Sequence, residues 1–373
     1  MKRLIAAIVA FAFTTLVLGG TAGTAPASDA FTVATAPYPF SFPADDGAHP
    51  NYESEWWRLF GRVRTPAGRP FSYELTFFRF AVHPGKVQFY PATFSVTDED
   101  GNVVHRADRV GRQSIGTGAA TSGALSVRVD AWSLAARSPA AGAGRWISRA
   151  SSADVAIDLV HAADKTPVVH GVDGTLRVGP CRSCALHSSS YPRLRTRGTL
   201  RIGGASFVVD GSSWLDHEFG SNAFAGGYVG WDRFSIVFDD GRELLLMLPR
   251  RRFTGADPLW KPTPESSGTL IARNGTARHL DAFDFTIELR GGTTWGSPDS
   301  GAAYPALWRI GVPSAGIDVS LAPLVANQER TPLTSGGSSY WDGAVEVRDV
   351  PNNGALLGWG RAQLTGYARP LSL

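Results

Sequence analysis

Cysteine is nearly absent. The chain of 373 residues holds two, Cys181 and Cys184, both within GPCRSCALHSS. That count excludes a multi-bridge scaffold, and a lone C-x-x-C without a second pair argues against a structural zinc site. A redox C-x-x-C needs a helix N-terminus in a βαβ setting to lower its thiol pKa, whereas this pair stands in a Gly/Pro/Ser loop. Outside the cytosol the expected state is a local disulfide between Cys181 and Cys184. Charge is scarce as well. Charged residues make up 18% of the chain and the formal net charge is +3, which falls to +1 without Lys2 and Arg3. Neither nucleic acid nor a polybasic membrane clamp is indicated by such a balance. It leaves a peripheral membrane contact open and specifies no protein partner.

Long apolar runs are missing beyond the N-terminus. The opening MKRLIAAIVAFAFTTLVLGGTAGTAPASDA places Lys2 and Arg3 before apolar residues 4–18, then the small-residue run Ala25-Pro26-Ala27. This is the pattern of a secretory signal peptide over residues 1–27, cleaved near Ala27. The alternative is a retained anchor, but the apolar run is short for a span of about 20 residues. The expected location is therefore extracytoplasmic, in periplasm or medium. Common catalytic signatures are missing too. No G-x-S-x-G elbow occurs, Ser221 stands where a zincin helix would need its second His after His217-Glu218, and no glycine loop cradles phosphate. Nothing in these patterns calls for a metal or a cofactor.

What is present is a strand-rich pattern with 11% aromatic residues, 42 Gly and 24 Pro. FSYELTFFRF, ALSVRVDAWSL, RFSIVFDDGRELLLML and GAVEVR alternate apolar with polar residues or run apolar throughout. Turn dipeptides such as Asp100-Gly101, Asp173-Gly174, Asp240-Gly241 and Asn274-Gly275 punctuate them. Many antiparallel strands with short turns point to sandwiches or closed barrels. An internal echo suggests two copies of one unit: WRLFGRVRTPAGRPFSYEL sets Phe60 three residues after Trp57, and WDRFSIVFDDGRELLL sets Phe234 three after Trp231. The Gly/Ser/Pro-rich stretch GPCRSCALHSSSYPRLRTRG places the boundary near Tyr191, giving units 28–190 and 191–373. Residues 114–123, rich in Ala, Gly and Ser, read as a mobile surface excursion.

The chemistry-bearing stretch is VDGSSWLDHEFGSNAFAGGYVGWDRFSIVFDDGREL. On a strand, Asp216 and Glu218 share a face with Trp214, and His217 points the other way. The three cannot converge on one metal ion without a bulge. They supply either a carboxylic acid and a His–carboxylate contact on opposite faces, or a turn cap and a hydrogen-bonded histidine at a barrel rim. Asp232 shares its face with Phe234, Ile236 and Phe238. A carboxyl group there is costly to ionise, so its pKa rises and it becomes a candidate general acid. The bland alternative is a strand end at the solvent edge, with Asp232 paired to Arg233 or Arg252. In the first half, Glu55, Trp56 and Trp57 precede Arg58, and Arg79 ends YELTFFR, which reads as a buried Trp under an Arg lid. YWDGAVEV adds Tyr340, Trp341 and Asp342 late in the chain.

These stretches, in this order, resemble a known family. SEWWRLFGRVRT and GRPFSYELTFFRF resemble its E-W-W-Y-x-x-G and Y-x-L-T-F-F-R; SSWLDHEFGS resembles W-x-D-H-E-W-S; VGWDRFSIVFDDGRELLLMLPR resembles G-W-D-W-F-S-x-x-L-D-D-G-R-E-L. WGSPDSGAAYPALWRIGVP, NQE and YWDGAVEV follow. The sequence is identified as a member of the AttH-like, carotenoid 1,2-hydratase type family, whose secreted members are often labelled hydrolases. The resemblance implies an all-β fold of two tandem lipocalin-like antiparallel β-barrels. It also implies a small apolar ligand, isoprenoid or polyene, and water added across a C=C bond without a cofactor or metal. More distant relatives act as pericyclases on polyenes. Asp216, His217 and Asp232 carry over as catalytic candidates. Trp56, Trp57, Trp214, Glu218, Trp231, Phe234, Tyr340 and Trp341 are the expected ligand-binding residues. Arg58, Phe219 and Arg233 depart from the family's usual aromatics. Two rivals stand beside the hydratase reading: a non-catalytic carrier of lipids or terpenoids, and a secreted hydrolase.

Overall fold

A computed structural model of the chain describes residues 30–84, 86–137, 144–221, 228–251, 262–331, 338–352 and 354–370. The signal segment and its cleavage site lie outside these residues. Among them there is no α-helix, and none is long and apolar enough to cross a membrane. The first sheet contains β1 (Ser54–Arg64), β2 (Pro70–Ala81), β3 (Gln88–Asp98), β4 (Val103–Arg112), β5 (Gly118–Ala120), β6 (Ser126–Val129) and β7 (Trp132–Ala136). It continues through β8 (Arg145–Ser151), β9 (Val155–Ala163), β10 (Val168–Val169), β11 (Leu176–Arg177), β12 (Ala185–Ile202) and β13 (Ala205–Gly220). Its order is β4-β3-β2-β1-β13-β12-β9-β8-β7-β6-β5, with β10 and β11 added on β12.

The outer strands of this sheet, β4 and β5, curl back on each other. A Cβ on Gly111 would lie 2.7 Å from the Thr117 carbonyl oxygen and 2.8 Å from the Gly118 Cα, so the seam admits no side chain there. Residues 114–123 lie at the surface, with 114–116 and 121–123 exposed, but they include β5, whose Gly118 packs at this seam.

The second sheet contains β14 (Tyr228–Phe238), β15 (Glu243–Arg251), β16 (Ser267–Ile271), β17 (Ala277–Asp281) and β18 (Thr286–Leu289). A separate pair, β19 (Thr294–Gly296) and β20 (Ala303–Pro305), follows before β21 (Trp308–Val312), β22 (Ile317–Pro323), β23 (Glu329–Arg330), β24 (Tyr340–Asp349) and β25 (Leu356–Leu364) return to it. Its order is β17-β16-β15-β14-β25-β24-β22-β21-β18, with β23 on β24. In both sheets the first long strand lies between its hairpin partner and the last long strand of its unit: β1 between β2 and β13, β14 between β15 and β25. The fold is all-β, two tandem lipocalin-like barrel units.

Two sequence expectations are corrected. The change of sheet falls between Gly220 and Tyr228, not near Tyr191, because β12 and β13 form a long hairpin that pairs with β9 and β1. The Gly/Ser/Pro composition read as a linker is instead a buried strand with a register shift between Tyr191 and Leu194, which accommodates Pro192. The echo is also one residue out of face: Trp57 lies in the first core, whereas Trp231 packs in the layer between the units. Cys181 and Cys184 are disulfide-bonded.

The largest apolar clusters are the two barrel interiors, and a third joins the sheets. Trp57, Leu59, Phe94, Trp132 and Leu215 fill the first barrel; Phe234, Trp308, Ile310, Trp341 and Val345 fill the second. Phe60, Trp214, Val237, Leu245 and Trp359 join the sheets face to face.

Candidate functional site

Side-chain alternation partitions the chemistry. On β13, Trp214, Asp216 and Glu218 point toward the second unit, while Leu215, His217 and Phe219 point away from it into the first. On β14, Trp231 and Arg233 face the first unit, and Asp232 and Phe234 face the interior of the second barrel. On β24, Tyr340 and Asp342 face the first unit and Trp341 the second barrel's core. Asp216, Glu218, Trp56, Trp214, Trp231 and Tyr340 therefore share the layer between units. His217 and Trp57 lie inside the first barrel, and Asp232, Phe234 and Trp341 inside the second. The three catalytic candidates do not converge on one site.

The layer between units is a buried ion-pair network. Asp216, fully buried, accepts from Trp214 Nε1 at 2.5 Å and Ser190 Oγ at 2.8 Å; Arg233 Nη2 approaches it at 2.9 Å and Arg58 Nη1 at 3.8 Å. Glu218 accepts from Arg233 at 2.6 Å, Trp56 Nε1 at 2.8 Å and Ser188 Oγ at 2.8 Å. Arg58 and Arg361 both bind Asp342 Oδ1, at 2.8 and 2.6 Å. Their cations outweigh burial and hold Asp342 down to about 2. Arg330 reaches across to Glu74 at 2.9 Å. Most carboxylate oxygens here accept hydrogen bonds, although Asp216 Oδ2 and Glu74 Oε2 have no such partner among the described residues; the ion pairs bind the units together.

Inside the first barrel, Glu55 accepts from Arg79 Nε at 2.8 Å and faces His49 Nδ1 and His217 Nε2, each at 2.8 Å. Burial would raise its pKa, but His217, His49 and Arg79 hold it well below the usual carboxylate range. Burial lowers His217, whereas Asp45 and Glu55 outweigh burial at His49 and raise it. Aromatic faces fix both rings: Trp57 stacks on His217 at 4.9 Å and Phe219 on His49 at 3.7 Å. Asp46, one turn away, accepts from Tyr191 OH, and burial pushes it up to about 7.

Inside the second barrel, Asp232 is 2% exposed. Burial pushes its pKa up to about 7, against the opposing pull of Arg250 at 3.9 Å and the Tyr367 hydroxyl, which donates to Oδ2 at 3.1 Å. Its Oδ1 makes no hydrogen bond to the described residues. Phe234 packs edge-on to Trp308 at 5.5 Å, and Trp308 lies 6.3 Å from Trp341. Tyr367, half-buried, covers Asp232 from outside and is itself covered by the Arg250 guanidinium at 3.5 Å. A carboxyl group whose pKa is raised in this way is a candidate acid.

Two surface grooves lie elsewhere. One of about 400 Å3 on the first barrel's wall is lined by Arg137, Arg145, Arg195, Arg197 and Asp210. One of about 330 Å3, between the units, is lined by Val172, Arg177, Glu265 and His279 among others. Neither includes a residue singled out from sequence. Sequence reasoning missed His49, Arg250 and Tyr367; it read Arg58 as part of an Arg lid and Arg233 as a partner for Asp232, whereas Arg58 binds Asp342 and Arg233 pairs with Asp216 and Glu218. The available signal was their parity: each arginine shares a strand face with a carboxylate's partner position.

The sequence pattern that defines the AttH-like family matches residues 33–367. A crystal structure described as an AttH from Nitrosomonas europaea is similar at 26% identity, with a TM-score of 0.79 over 90% of this chain and all of that one. Kievitone hydratase from Nectria haematococca has the same fold at 16% identity, with a TM-score of 0.67 over 92% of this chain and 98% of its own. No curated protein matches the sequence. With the family pattern spanning nearly all of the described residues and both barrel units shared, the chain belongs to the AttH-like family.

Proposed function

We propose that this protein is an extracytoplasmic, hydratase-type catalyst that takes an elongated apolar isoprenoid or polyene and adds water to a C=C bond, with Asp232 as the acid. The observation that carries the reading is a buried carboxyl group at Asp232, pushed up to about 7 by burial, with one oxygen free of hydrogen bonds, beside Tyr367 and on the strand face of Phe234. The Asp232 proton passes to the less substituted alkene carbon, whose π electrons form the new C–H bond. A tertiary carbocation is left on the other carbon, next to ring faces that stabilise it. Water attacks that cation and returns a proton to the Asp232 carboxylate. Atoms balance as alkene plus water, with no oxidant or reductant. Access requires the Tyr367 ring to swing aside. His217 and Asp216 have no proton-transfer step in this scheme, because alternation sends them to other compartments.

The test is incubation of the mature protein with an acyclic carotenoid in water enriched in heavy oxygen. Label in a tertiary alcohol product is expected, and Asp232→Asn should reduce turnover by at least about 100-fold while retaining the polyene. Polyene that binds yet is recovered unchanged would replace the catalyst with a carrier. Secretion is checked separately, by the N-terminal mass of protein exported from its host, which should begin close to residue 28.

A further inference from the structure

We propose that His49, Glu55 and His217 form a binding site for one divalent transition-metal ion of the zinc class, inside the first barrel and separate from Asp232. The geometry points to it through a count of protons. The Nδ1 atom of His217 lies 2.9 Å from the Asp45 carbonyl oxygen, which can only accept, so the ring's proton sits on Nδ1. The Nε2 atom of His49 lies 3.1 Å from Asp45 Oδ1, an acceptor that also takes the Tyr38 hydroxyl proton, so that ring's proton sits on Nε2. A neutral imidazole has one proton, and in both rings it is already used. The inner nitrogens, His217 Nε2 and His49 Nδ1, then turn lone pairs toward the same atom, Glu55 Oε1, each at 2.8 Å.

Three lone pairs converging on one point need positive charge among them. Two extra protons would supply it, and so would one divalent cation, with the same net charge. The surroundings favour the cation. Each ring gives its outer N–H to an oxygen, one a carboxylate and one a backbone carbonyl, which is the outer-shell arrangement that orients metal-bound histidines. Arg79 holds Glu55 Oε2 at 2.8 Å, and the His49 backbone N–H bridges both oxygens at 3.1 and 3.0 Å, so Oε1 is the oxygen turned to the rings and would keep one backbone donor beside the ion. Trp57 and Phe219 fix the ring planes. The three donor atoms lie within 4.8 Å of one another. Metal bonds of about 2.0–2.1 Å at tetrahedral angles separate ligand atoms by about 3.3 Å, so each 2.8 Å contact would open by about half an ångström. His49 and Asp45 are 13% and 16% exposed, which gives an ion its way in. Two imidazoles and a carboxylate suit zinc and its neighbours rather than calcium or magnesium, and they leave a fourth position for water.

The experiment uses the full mature chain without a histidine tag, stripped with a chelator. Calorimetric titration with Zn(II) should show one equivalent bound, and Co(II) should give the visible absorption of a low-coordinate site. His49→Ala should abolish both signals. Asp45→Asn, an isosteric change at a half-buried outer-shell acceptor that also meets Tyr38 and the Ser41 backbone, should weaken Zn(II) binding about 10–100-fold while circular dichroism stays that of wild type. Failure to bind Zn(II) at millimolar concentration would overturn the site, as would equal binding by wild type and His49→Ala; protons would then hold the two rings to Glu55.

Discussion

At the scale of single residues, the same carboxyl chemistry has opposite outcomes depending on what surrounds it. Asp342 sits between Arg58 and Arg361 and is held at about 2, whereas Asp232 has one distant arginine and one tyrosine and rises to about 7. An acid that must be protonated to act loses activity as pH rises through its pKa, so turnover should fall above about pH 7. The Tyr367 hydroxyl stabilises the ionised form of Asp232. Removing it with Tyr367→Phe raises that pKa further, and the alkaline limb of the pH–rate profile should move to higher pH. A limb that stays in place would mean that another group controls the rate.

At the scale of elements, the paired strands of the two units hold their charges in a dry layer. Removing one partner of a buried pair strands the other, at a typical cost of about 3–5 kcal/mol. Asp342→Ala leaves Arg58 and Arg361 without the carboxylate they share; its unfolding free energy from urea titration should drop by that order, lowering the midpoint with an unchanged slope. Asp318→Ala, at the exposed pair with Arg309, should leave the midpoint where it is. This scale also shows what was legible in the sequence. Period-two alternation correctly set Asp216 and Glu218 against His217, and Asp232 with Phe234, because that property is local to one strand. The partners were not legible: Arg58 meets Asp342 across 284 positions and Arg233 meets Glu218 from another sheet, and no local pattern encodes either. Composition misled near Tyr191, where small and polar residues mark a buried strand rather than a linker.

At the scale of the whole molecule, the face-to-face contact makes each unit depend on the other. Phe60, Trp214 and Trp359 form one apolar patch, rimmed by carboxylates and guanidiniums contributed by both units. Residues 30–221 alone would expose Phe60 and Trp214 together with Asp216 and Glu218 stripped of Arg233. That fragment should self-associate on size-exclusion chromatography and unfold at lower temperature than the full chain, which should show a single cooperative transition. A monomeric fragment as stable as the full chain would show that the layer contributes little.

Strand β13 is a wall with rooms on both sides. Slipping it by one position, as a lost residue between Ser213 and Asp216 would do, turns His217 out of its aromatic stack into the arginines and drives Asp216 into grease. Both rooms would be ruined by that one deletion. Along this stretch the protein can therefore diversify by exchanging side chains and never by changing its length.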